Sequence, residues 1–545
     1  MSRYLVTVET VKIKDFIFST NKLKLIRGAS YLLDYLNQVE VPAILKRNGL
    51  DEEKDFIYIG AGNAKFFVDS KEKAEKITEE IKAKYREEAP NAKVATSYRE
   101  TTFDGEKSNG EKSNGEKIWE IMDKLAQDVA IEKSKGFPAL NIDLPFIQKC
   151  GLCGNNPVEI SVENLKSDLK VLNIELSSDE IHRLKGQIEY LSEDGKICEE
   201  CLRKLIFSNK IKTDQKEIGF YGKIVKEFKE ELGFDINIDT EVEDYEGAKS
   251  FIGFMYSDGD GLGDFLKNIS KKFISSNSEK EYIKFLKEFS KVLDTNTKDA
   301  LLEVLKKKSN IFFKRNNIVG EFLIVGGDDV CAVFSSDLAI EISNEFQKEF
   351  EKRMAEYTVK KEIETKITSS SGVVIAKSKT PMFHLFDQAL GLQKKAKAKR
   401  HENKKMTTGY IDFEVIGSEG CVDIGEFRKG ISSEENKVIE RPYSIVKEVE
   451  ETKSLDCLIK EISAFKASDF PRTKLRYIYD LKRDNTLEDY EKKMEFINIL
   501  SKMQKEHISL IDIDYNNYEK FNENFSNIFD ILELYDFIGG ENNEN

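Results

Sequence analysis

The chain has 545 residues, of which 40% are hydrophobic, and its formal net charge is −14. This length suits three or four domains of roughly 100–200 residues each, and the apolar content excludes a disordered chain. The acidic balance excludes nucleic-acid binding by bulk electrostatic attraction, so any such contact should be local or carried by a partner. Because no run of roughly 18 apolar residues and no charged-then-apolar leader occurs, we expect a cytoplasmic protein without membrane contact.

The first hundred residues alternate between strand and helix patterns. The predicted elements are strand, helix, two hairpin strands, helix and strand, over residues 4–11, 22–37, 56–59, 65–68, 70–88 and 92–98. This β-α-β-β-α-β order is the ferredoxin-like arrangement. We therefore predict a ferredoxin-like domain over residues 1–135. Its tandem SNGEK segment, residues 104–117, is predicted to be a mobile surface loop because it has no apolar face to bury.

Two CxxC pairs follow, Cys150–Cys153 and Cys198–Cys201, in a segment that we predict to be a zinc-binding insertion with a helical connector, residues 136–248. Four thiolates satisfy tetrahedral Zn²⁺ and leave no open position, so the pattern favours a structural zinc over a catalytic one. A redox-active CxxC is the alternative, but its thioredoxin-like context is absent.

The element order of the first domain recurs from residue 250 onward. The predicted elements cover residues 251–256, 262–308, 321–325, 330–334, 338–357, 367–376 and 382–400. We therefore predict a second ferredoxin-like domain over residues 249–415. The charged, helically spaced remainder, residues 416–545, predicts a C-terminal helical domain. The fold class is accordingly α+β with two ferredoxin-like domains.

The two predicted hairpins can be aligned, residues 57–68 with residues 323–334. In this alignment the Asp328-Asp329 pair stands where the first hairpin has Gly62-Asn63. The first hairpin thus has the turn without the carboxylates, which predicts a degenerate first domain and an active second one.

Three carboxylates of the second domain are expected to converge. Asp258 ends the first strand, and Asp328 with Asp329 forms the tip of the hairpin. The first and third strands are central neighbours in a ferredoxin-like sheet, so the two groups should lie side by side. Carboxylates at this spacing suit two Mg²⁺ or Mn²⁺ ions, which activate a 3′-hydroxyl and neutralise a leaving pyrophosphate. The alternative is an ordinary hairpin turn, in which Asp and Gly are favoured anyway.

Further residues are candidates for binding the nucleotide. Gly259, Gly326 and Gly327 permit tight turns and close backbone approach to a triphosphate. Asp260 is expected either to ligate or to shape its turn. Two lysines near the end of the last helix are candidate triphosphate contacts, Lys394 and Lys397. The alternative is that they are solvated and interact with the dipole of the helix C-terminus.

These motifs resemble the large, polymerase-like subunit of type III CRISPR effector complexes. The resemblance rests on Asp-Gly-Asp-Gly-Leu-Gly from Asp258, Gly-Gly-Asp-Asp from Gly326, and Thr-Ser-Ser-Ser-Gly-Val-Val-Ile-Ala from Thr368. It includes residues 16–30, the paired CxxC insertion and the helical tail, and so spans nearly the whole chain.

The resemblance implies two palm domains, of which only the second is active, and synthesis of cyclic oligoadenylate second messengers from ATP in antiviral defence. By this likeness Asp258, Asp328 and Asp329 hold the catalytic metals. Ser370 lies near the nucleotide and Lys397 contacts the triphosphate. The implied partners are the other subunits of a type III ribonucleoprotein, with crRNA and target RNA bound mostly through them.

One departure from the family concerns the nuclease domain, with a His-Asp pair, that opens many members. The ferredoxin-like strand is predicted from Tyr4, and none of the four histidines precedes an aspartate. We therefore expect this chain to lack that nuclease activity.

Two other functions stay open from the sequence. A synthase of other cyclic nucleotides, such as a diguanylate cyclase, is one, although such enzymes usually carry Glu where this chain has Asp329. A catalytically silent scaffold subunit is the other, and the intact carboxylates argue against it. The sequence does not select the base or the ring size of a product.

Overall fold

The computed structural model describes most of the chain. The described residues are 3–103, 116–135, 146–213, 219–233, 242–309, 313–314, 317–402, 408–417, 423–432, 437–446, 453–504, 507 and 525–539. Residues 104–115 of the loop predicted to be mobile, and Cys421, lie outside these ranges.

Strands and helices are numbered here in chain order. The strands are β1 (Arg3–Val11), β2 (Phe56–Gly60), β3 (Asn63–Val68), β4 (Lys93–Thr101), β5 (Ile160–Ser161), β6 (Lys196–Ile197), β7 (Phe251–Asp260), β8 (Phe313–Lys314), β9 (Asn317–Ile318), β10 (Gly320–Gly326), β11 (Asp329–Ser335), β12 (Thr368–Lys377), β13 (Tyr410–Ile416) and β14 (Tyr443–Ser444). The α-helices are α1 (Ile13–Ile17), α2 (Leu23–Tyr35), α3 (Val41–Arg47), α4 (Lys71–Glu88), α5 (Ile118–Ser134), α6 (Leu165–Val171), α7 (Ser178–Leu191), α8 (Glu199–Thr213), α9 (Gly219–Leu232), α10 (Leu262–Ser276), α11 (Glu279–Lys307), α12 (Ser336–Lys360), α13 (Met382–Glu402), α14 (Ile424–Ile431), α15 (Leu455–Ala467), α16 (Arg472–Arg483), α17 (Asp489–Ser501) and α18 (Ile528–Leu534).

The first domain has the predicted ferredoxin-like sheet. Its strand order is β2-β3-β1-β4, with β1 antiparallel to both β3 and β4. The helix after the hairpin begins where the sequence predicts, because the Ser70 hydroxyl accepts a hydrogen bond from the backbone N–H of Lys73. The α+β fold class is confirmed in this domain.

The second domain repeats this sheet and extends it. The strands run in the order β10-β11-β7-β12-β13-β14, and the first four reproduce the ferredoxin-like order. Strand β13 joins β12 in parallel, and the two-residue strand β14 pairs with β13. The sequence patterns predicted neither of these two strands. Apart from the short strand β14, the elements described after residue 416 are the helices α14 to α18.

The two domains pack closely on one another. Phe18 of the first domain stacks on Phe386 of the second, with ring centroids 4.9 Å apart. The Arg27 guanidinium donates hydrogen bonds to the Glu321 carboxylate at the start of β10, and both side chains are buried. The hairpin tips also meet, because a β-carbon built on Gly327 would lie 3.4 Å from that of Ala61. The hairpin that carries Asp328 and Asp329 is therefore in contact with the first domain as well as with its own.

The unit that carries the CxxC pairs is fastened to the first domain. Its helix α8 lies so close to α2 that a β-carbon on Gly28 would come within 1.8 Å of the Lys204 carbonyl oxygen. The Lys204 side chain is fully buried, and its ammonium donates to the Phe16 carbonyl oxygen at 2.6 Å. Two helices, α6 and α7, occupy the long gap between the cysteine pairs.

Buried ion pairs fasten the C-terminal segment to the second domain. Arg441 contacts Glu414 of β13 and both Asp530 and Glu533 of α18, and its own side chain is fully buried. Removing one partner of such a cluster leaves uncompensated buried charge, which is strongly destabilising. No helix within the described ranges is both long enough and apolar enough to cross a bilayer.

The close contact of α2 with α8 generates a prediction about stability. A Gly28→Ala substitution should lower the free energy of unfolding by about 1–3 kcal/mol, because the added methyl group forces the two helices apart. Gly186→Ala is the matched control, since Gly186 lies exposed in helix α7 with open space around its position. That change should stabilise by up to about 1 kcal/mol through helix propensity. Thermal and denaturant unfolding measure both, and equal stability of the two variants would contradict the packing argument.

Candidate active site

The three carboxylates predicted to converge do so at the ends of two neighbouring strands. Strands β7 and β11 are antiparallel, and Val330 lies opposite Ser257, which brings Asp329 beside Asp258. Asp328 lies against Gly259, the residue that follows Asp258. A β-carbon built on Gly259 would be 2.8 Å from the Oδ2 atom of Asp328. The absence of a side chain at Gly259 therefore leaves the space that Asp328 occupies.

The clustering of these groups changes their acidity. Burial, together with the charges of Asp329 and Asp258, raises the pKa of Asp328 to about 7. Burial and the Asp258 charge also raise the pKa of Asp329, although a hydrogen bond from Tyr256 acts in the opposite direction. Hard divalent cations such as Mg²⁺ relieve repulsion of this kind and take carboxylate oxygens as ligands. The donor set thus fits Mg²⁺ or Mn²⁺.

Helix α13 brings a cation and an amide to the same carboxylates. The Lys397 ammonium lies 2.8 Å from Asp258 Oδ2 and donates a second hydrogen bond to the Gly259 carbonyl oxygen at 2.7 Å. One helical turn earlier, the buried Gln393 amide donates to Asp258 Oδ2 at 3.4 Å. Lys394 is exposed. Of the two candidate lysines, the structure brings Lys397 to the carboxylates.

Two further residues reach this site and were not predicted from the sequence. The Tyr256 hydroxyl donates to Asp329 Oδ1 at 2.6 Å, and the Lys14 ammonium donates to the Tyr256 hydroxyl at 2.8 Å. Tyr256 had a sequence signal, since it precedes Asp258 by two positions and so shares its face of the strand. Lys14 had none, because it belongs to the first domain.

Asp260 and Ser370 are hydrogen-bonded to each other across two neighbouring strands. Both are buried, and Asp260 Oδ2 accepts hydrogen bonds from the Thr368 hydroxyl at 2.8 Å and the Ser370 hydroxyl at 2.9 Å. Burial raises the pKa of Asp260. These hydrogen bonds join strand β7 to strand β12 next to Asp258, which lies opposite Ser370 in the sheet.

Residues of helix α11 hydrogen-bond to the turn that contains Gly326 and Gly327. Gly327 has a φ of +62°, a conformation that glycine adopts without strain. Its N–H donates to Asp294 Oδ1 at 3.1 Å, and its carbonyl oxygen accepts from the Thr297 hydroxyl at 2.6 Å. Gly326 has room for a β-carbon, with Asp294 Oδ1 at 3.5 Å. Of the two glycines, only Gly327 has a backbone conformation that requires glycine.

A cavity of about 650 Å³ opens beside this turn, between the two domains. Its walls include the first-domain hairpin with Tyr58 and Gly60, helix α11 with Lys287 and Lys291, and Gly327 of the active-site hairpin. The volume lies in the range of ligand pockets, and the lysines give one wall a positive charge.

The four cysteines form a separate cluster. The Sγ atoms of Cys150, Cys153, Cys198 and Cys201 all lie within 4.8 Å of one another. Cys153 and Cys198 are 3.9 Å apart, close to the roughly 3.8 Å between ligands of tetrahedral zinc with Zn–S bonds of about 2.3 Å. The cluster is therefore compatible with zinc binding.

Comparisons with known proteins match both ferredoxin-like domains. The family model described as Cas10/Cmr2, second palm domain, matches residues 251–407. The model described as Csm1 subunit domain B matches residues 3–146. No curated protein sequence matches the chain.

Solved structures share the fold over almost the whole chain. An apo Csm1–Csm4 cassette matches with a TM-score of 0.55 at 14% identity, over 98% of this chain and 70% of that one. The cassette in complex with cA4 matches with a TM-score of 0.54 at 15% identity, over the same shares. Csm1 of T. onnurineus matches with a TM-score of 0.53 at 16% identity, over 98% of this chain and 69% of that one.

The raised pKa of Asp328 generates a prediction about metal affinity. Below about pH 7 the metal-free carboxyl holds a proton that a cation must displace, whereas above that pH it is already ionised. Affinity for Mn²⁺ should therefore increase up to about tenfold per pH unit from about pH 5 to about pH 7 and then level off.

Electron paramagnetic resonance of free Mn²⁺ measures this affinity. An Asp328→Asn variant, which cannot ionise at that position, should bind more weakly and with a flatter pH dependence. A wild-type affinity that does not change between about pH 5 and about pH 7 would contradict the prediction.

Proposed function

Since the chain carries two domains of the Cas10/Csm1 family, the second palm domain and domain B, we propose that it condenses ATP into cyclic oligoadenylates as the polymerase-like subunit of a type III CRISPR complex. The observation that carries this proposal is the convergence of Asp258, Asp328 and Asp329 at one point with the Lys397 ammonium beside them. We retain the predicted domain boundaries in this proposal: a degenerate palm at 1–135, a zinc insertion and helical connector at 136–248, a catalytic palm at 249–415 and a C-terminal helical domain at 416–545.

The same carboxylates are proposed to hold the catalytic metals. Asp258, Asp328 and Asp329 offer hard oxygen ligands, and their mutual repulsion favours bound cations. Two Mg²⁺ or Mn²⁺ ions held there would activate the attacking 3′-hydroxyl and neutralise the leaving pyrophosphate.

The protein groups around the carboxylates are proposed to bind and orient ATP. Lys397 is half-buried and directed at Asp258, so its charge is available for a phosphate that enters beside that carboxylate. Gly259 and Gly327 allow the backbone to approach the triphosphate closely. The first-domain hairpin forms one wall of the cavity that Gly327 also lines, so this domain lies beside the proposed site.

Partners are proposed from the likeness to the Csm1–Csm4 cassettes. Solved cassettes include complexes with cA3 and cA4, with AMPPNP and with pppApA. We infer that this chain assembles with further type III subunits, through which crRNA and target RNA regulate it.

The proposal predicts products that can be identified directly. The purified chain with Mg²⁺ or Mn²⁺ should convert ATP, and no other nucleoside triphosphate to the same extent, into cyclic or linear oligoadenylates. Products are identified by mass spectrometry, and the reaction is repeated with the assembled, target-RNA-bound complex if the isolated chain is silent. An Asp328→Ala/Asp329→Ala variant should reduce turnover at least about a thousandfold, because the ligands for the catalytic metals are lost.

Lys397→Ala tests the role of the lysine that contacts the carboxylates, and Lys394→Ala is its matched control. Lys394 is exposed, whereas Lys397 donates to Asp258, so the loss of Lys394 should change turnover less than twofold and the loss of Lys397 should reduce it at least about tenfold. A guanylate dinucleotide product would instead assign the chain to the cyclic dinucleotide synthases. No product from the RNA-bound complex would make it a silent scaffold.

The cysteine cluster is proposed to hold one structural zinc ion. Four thiols leave no position for a substrate, and Cys150, Cys198 and Cys201 are buried. The cluster also has an outer shell, since the Asn156 amide donates to Cys198 Sγ at 3.6 Å and to Glu200 at 2.9 Å. Such partners orient the ligands of structural metal sites.

Metal analysis tests this assignment. The wild-type chain should contain one zinc per molecule, and Cys153→Ser, at the half-buried position, should lower both zinc content and melting temperature. Cys457→Ser is the control, because Cys457 is exposed and outside the cluster. Full zinc content in Cys153→Ser, or retention of native stability after zinc removal by a chelator, would count against a structural role.

A further inference from the structure

The first domain contributes a charged side chain to the active site of the second. Lys14 lies in helix α1, and its ammonium is 2.8 Å from the Tyr256 hydroxyl oxygen. The same ammonium lies over two aromatic rings of the second domain, 4.2 Å from the Tyr256 centroid and 4.8 Å from the Phe386 centroid. Cations are attracted to the faces of such rings, so three contacts hold this ammonium in one place.

The hydrogen bonds run in a single direction from Lys14 to the carboxylate. An ammonium has three donors and no acceptor, so the Tyr256 oxygen must accept from it. The tyrosine O–H is then left to donate to Asp329 Oδ1, at 2.6 Å. A hydroxyl polarised by a cation is a stronger donor. One Asp329 oxygen is thereby fixed by the protein, which leaves the other free to bind a ligand.

We propose that Lys14 is a positioning residue for Asp329, acting through the Tyr256 hydroxyl. The inference rests on the proposed function, because it takes Asp329 to be a ligand of the catalytic metals. It also gives the first domain, whose own hairpin lacks carboxylates, a direct part in the activity of the second.

The segment around Lys14 is held on both sides. Phe16, two residues on, has its carbonyl oxygen bonded to the buried Lys204 ammonium of the cysteine unit. Phe18 stacks on Phe386, the same ring that Lys14 contacts. The cysteine unit and the second domain therefore clamp the backbone that carries Lys14. Because the backbone at Lys14 is held in place, the Lys14 side chain loses little conformational entropy when it hydrogen-bonds to Tyr256.

Binding of Mn²⁺ to the zinc-loaded, magnesium-free chain tests the inference without any nucleotide. Free Mn²⁺ is quantified by electron paramagnetic resonance. Tyr256→Phe keeps the ring and removes the hydroxyl, and it should weaken Mn²⁺ binding about 10–100-fold, as loss of a partner of a metal ligand typically does. Lys14→Met keeps most of the side-chain length and removes the charge, and it should weaken binding about tenfold.

The double variant decides whether Lys14 acts through Tyr256. If it does, Lys14→Met/Tyr256→Phe should bind Mn²⁺ no more weakly than Tyr256→Phe alone, since the path is already broken. The matched control is Lys12→Met, because Lys12 is an exposed lysine two residues away that pairs with Asp15 at 3.6 Å. Its Mn²⁺ affinity should stay within twofold of wild type. Lys14→Gln replaces Lys14→Met if the latter lowers the melting temperature.

The outcomes separate this inference from the proposed function. Unchanged Mn²⁺ binding in Asp328→Ala/Asp329→Ala would show that the metal site itself is wrong, and the inference would fall with it. If that variant loses binding, the proposed site stands. In that case an affinity of Lys14→Met equal to or tighter than wild type, or effects that multiply in the double variant, would overturn the positioning role of Lys14.

Discussion

The repulsion among three carboxylates at the ends of two neighbouring strands is the constraint on which the rest of the site depends. Burial, together with the charges of Asp329 and Asp258, raises the pKa of Asp328 to about 7. A protein pays for such a cluster in stability, and it persists only when the surrounding structure holds it together. The groups around the cluster each compensate part of this cost: a lysine, a buried amide, a tyrosine hydroxyl and a glycine that leaves space.

These compensating groups come from separate parts of the chain. Lys397 and Gln393 lie one turn apart on helix α13, while Tyr256 lies on the same strand as Asp258. Lys14 comes from the first domain. The duplicated fold thus has a division of labour, in which one copy carries the carboxylates and the other supplies a cation, a cavity wall and a packed interface. The first domain, whose hairpin has no carboxylates, therefore still contributes to the structure of the site.

The cysteine unit and the C-terminal segment each pack against one of the two ferredoxin-like domains. The cysteine unit reaches the first domain through the buried Lys204, and the C-terminal segment reaches the second through the buried Arg441. Both contacts place a charged side chain in the interior with its partners, an arrangement that is costly to disrupt. A site built from two domains needs such attachments, because a shift of about 1 Å between reacting groups has a large effect on rate.

The sequence by itself determined the two β-α-β-β-α-β units, the hairpin tips, the pairing of the cysteines in space and the convergence of Asp258 with Asp328 and Asp329. These follow from local periodicity, turn chemistry and one rule of strand order, all of which are present in short stretches of sequence. Only the tertiary structure decided that Asp260 and Ser370 face inward, that β13 and β14 extend the sheet and that Lys14 reaches Tyr256. Each of these depends on packing between distant segments, and the partners Lys14 and Tyr256 are 242 positions apart, a separation over which no local pattern carries information.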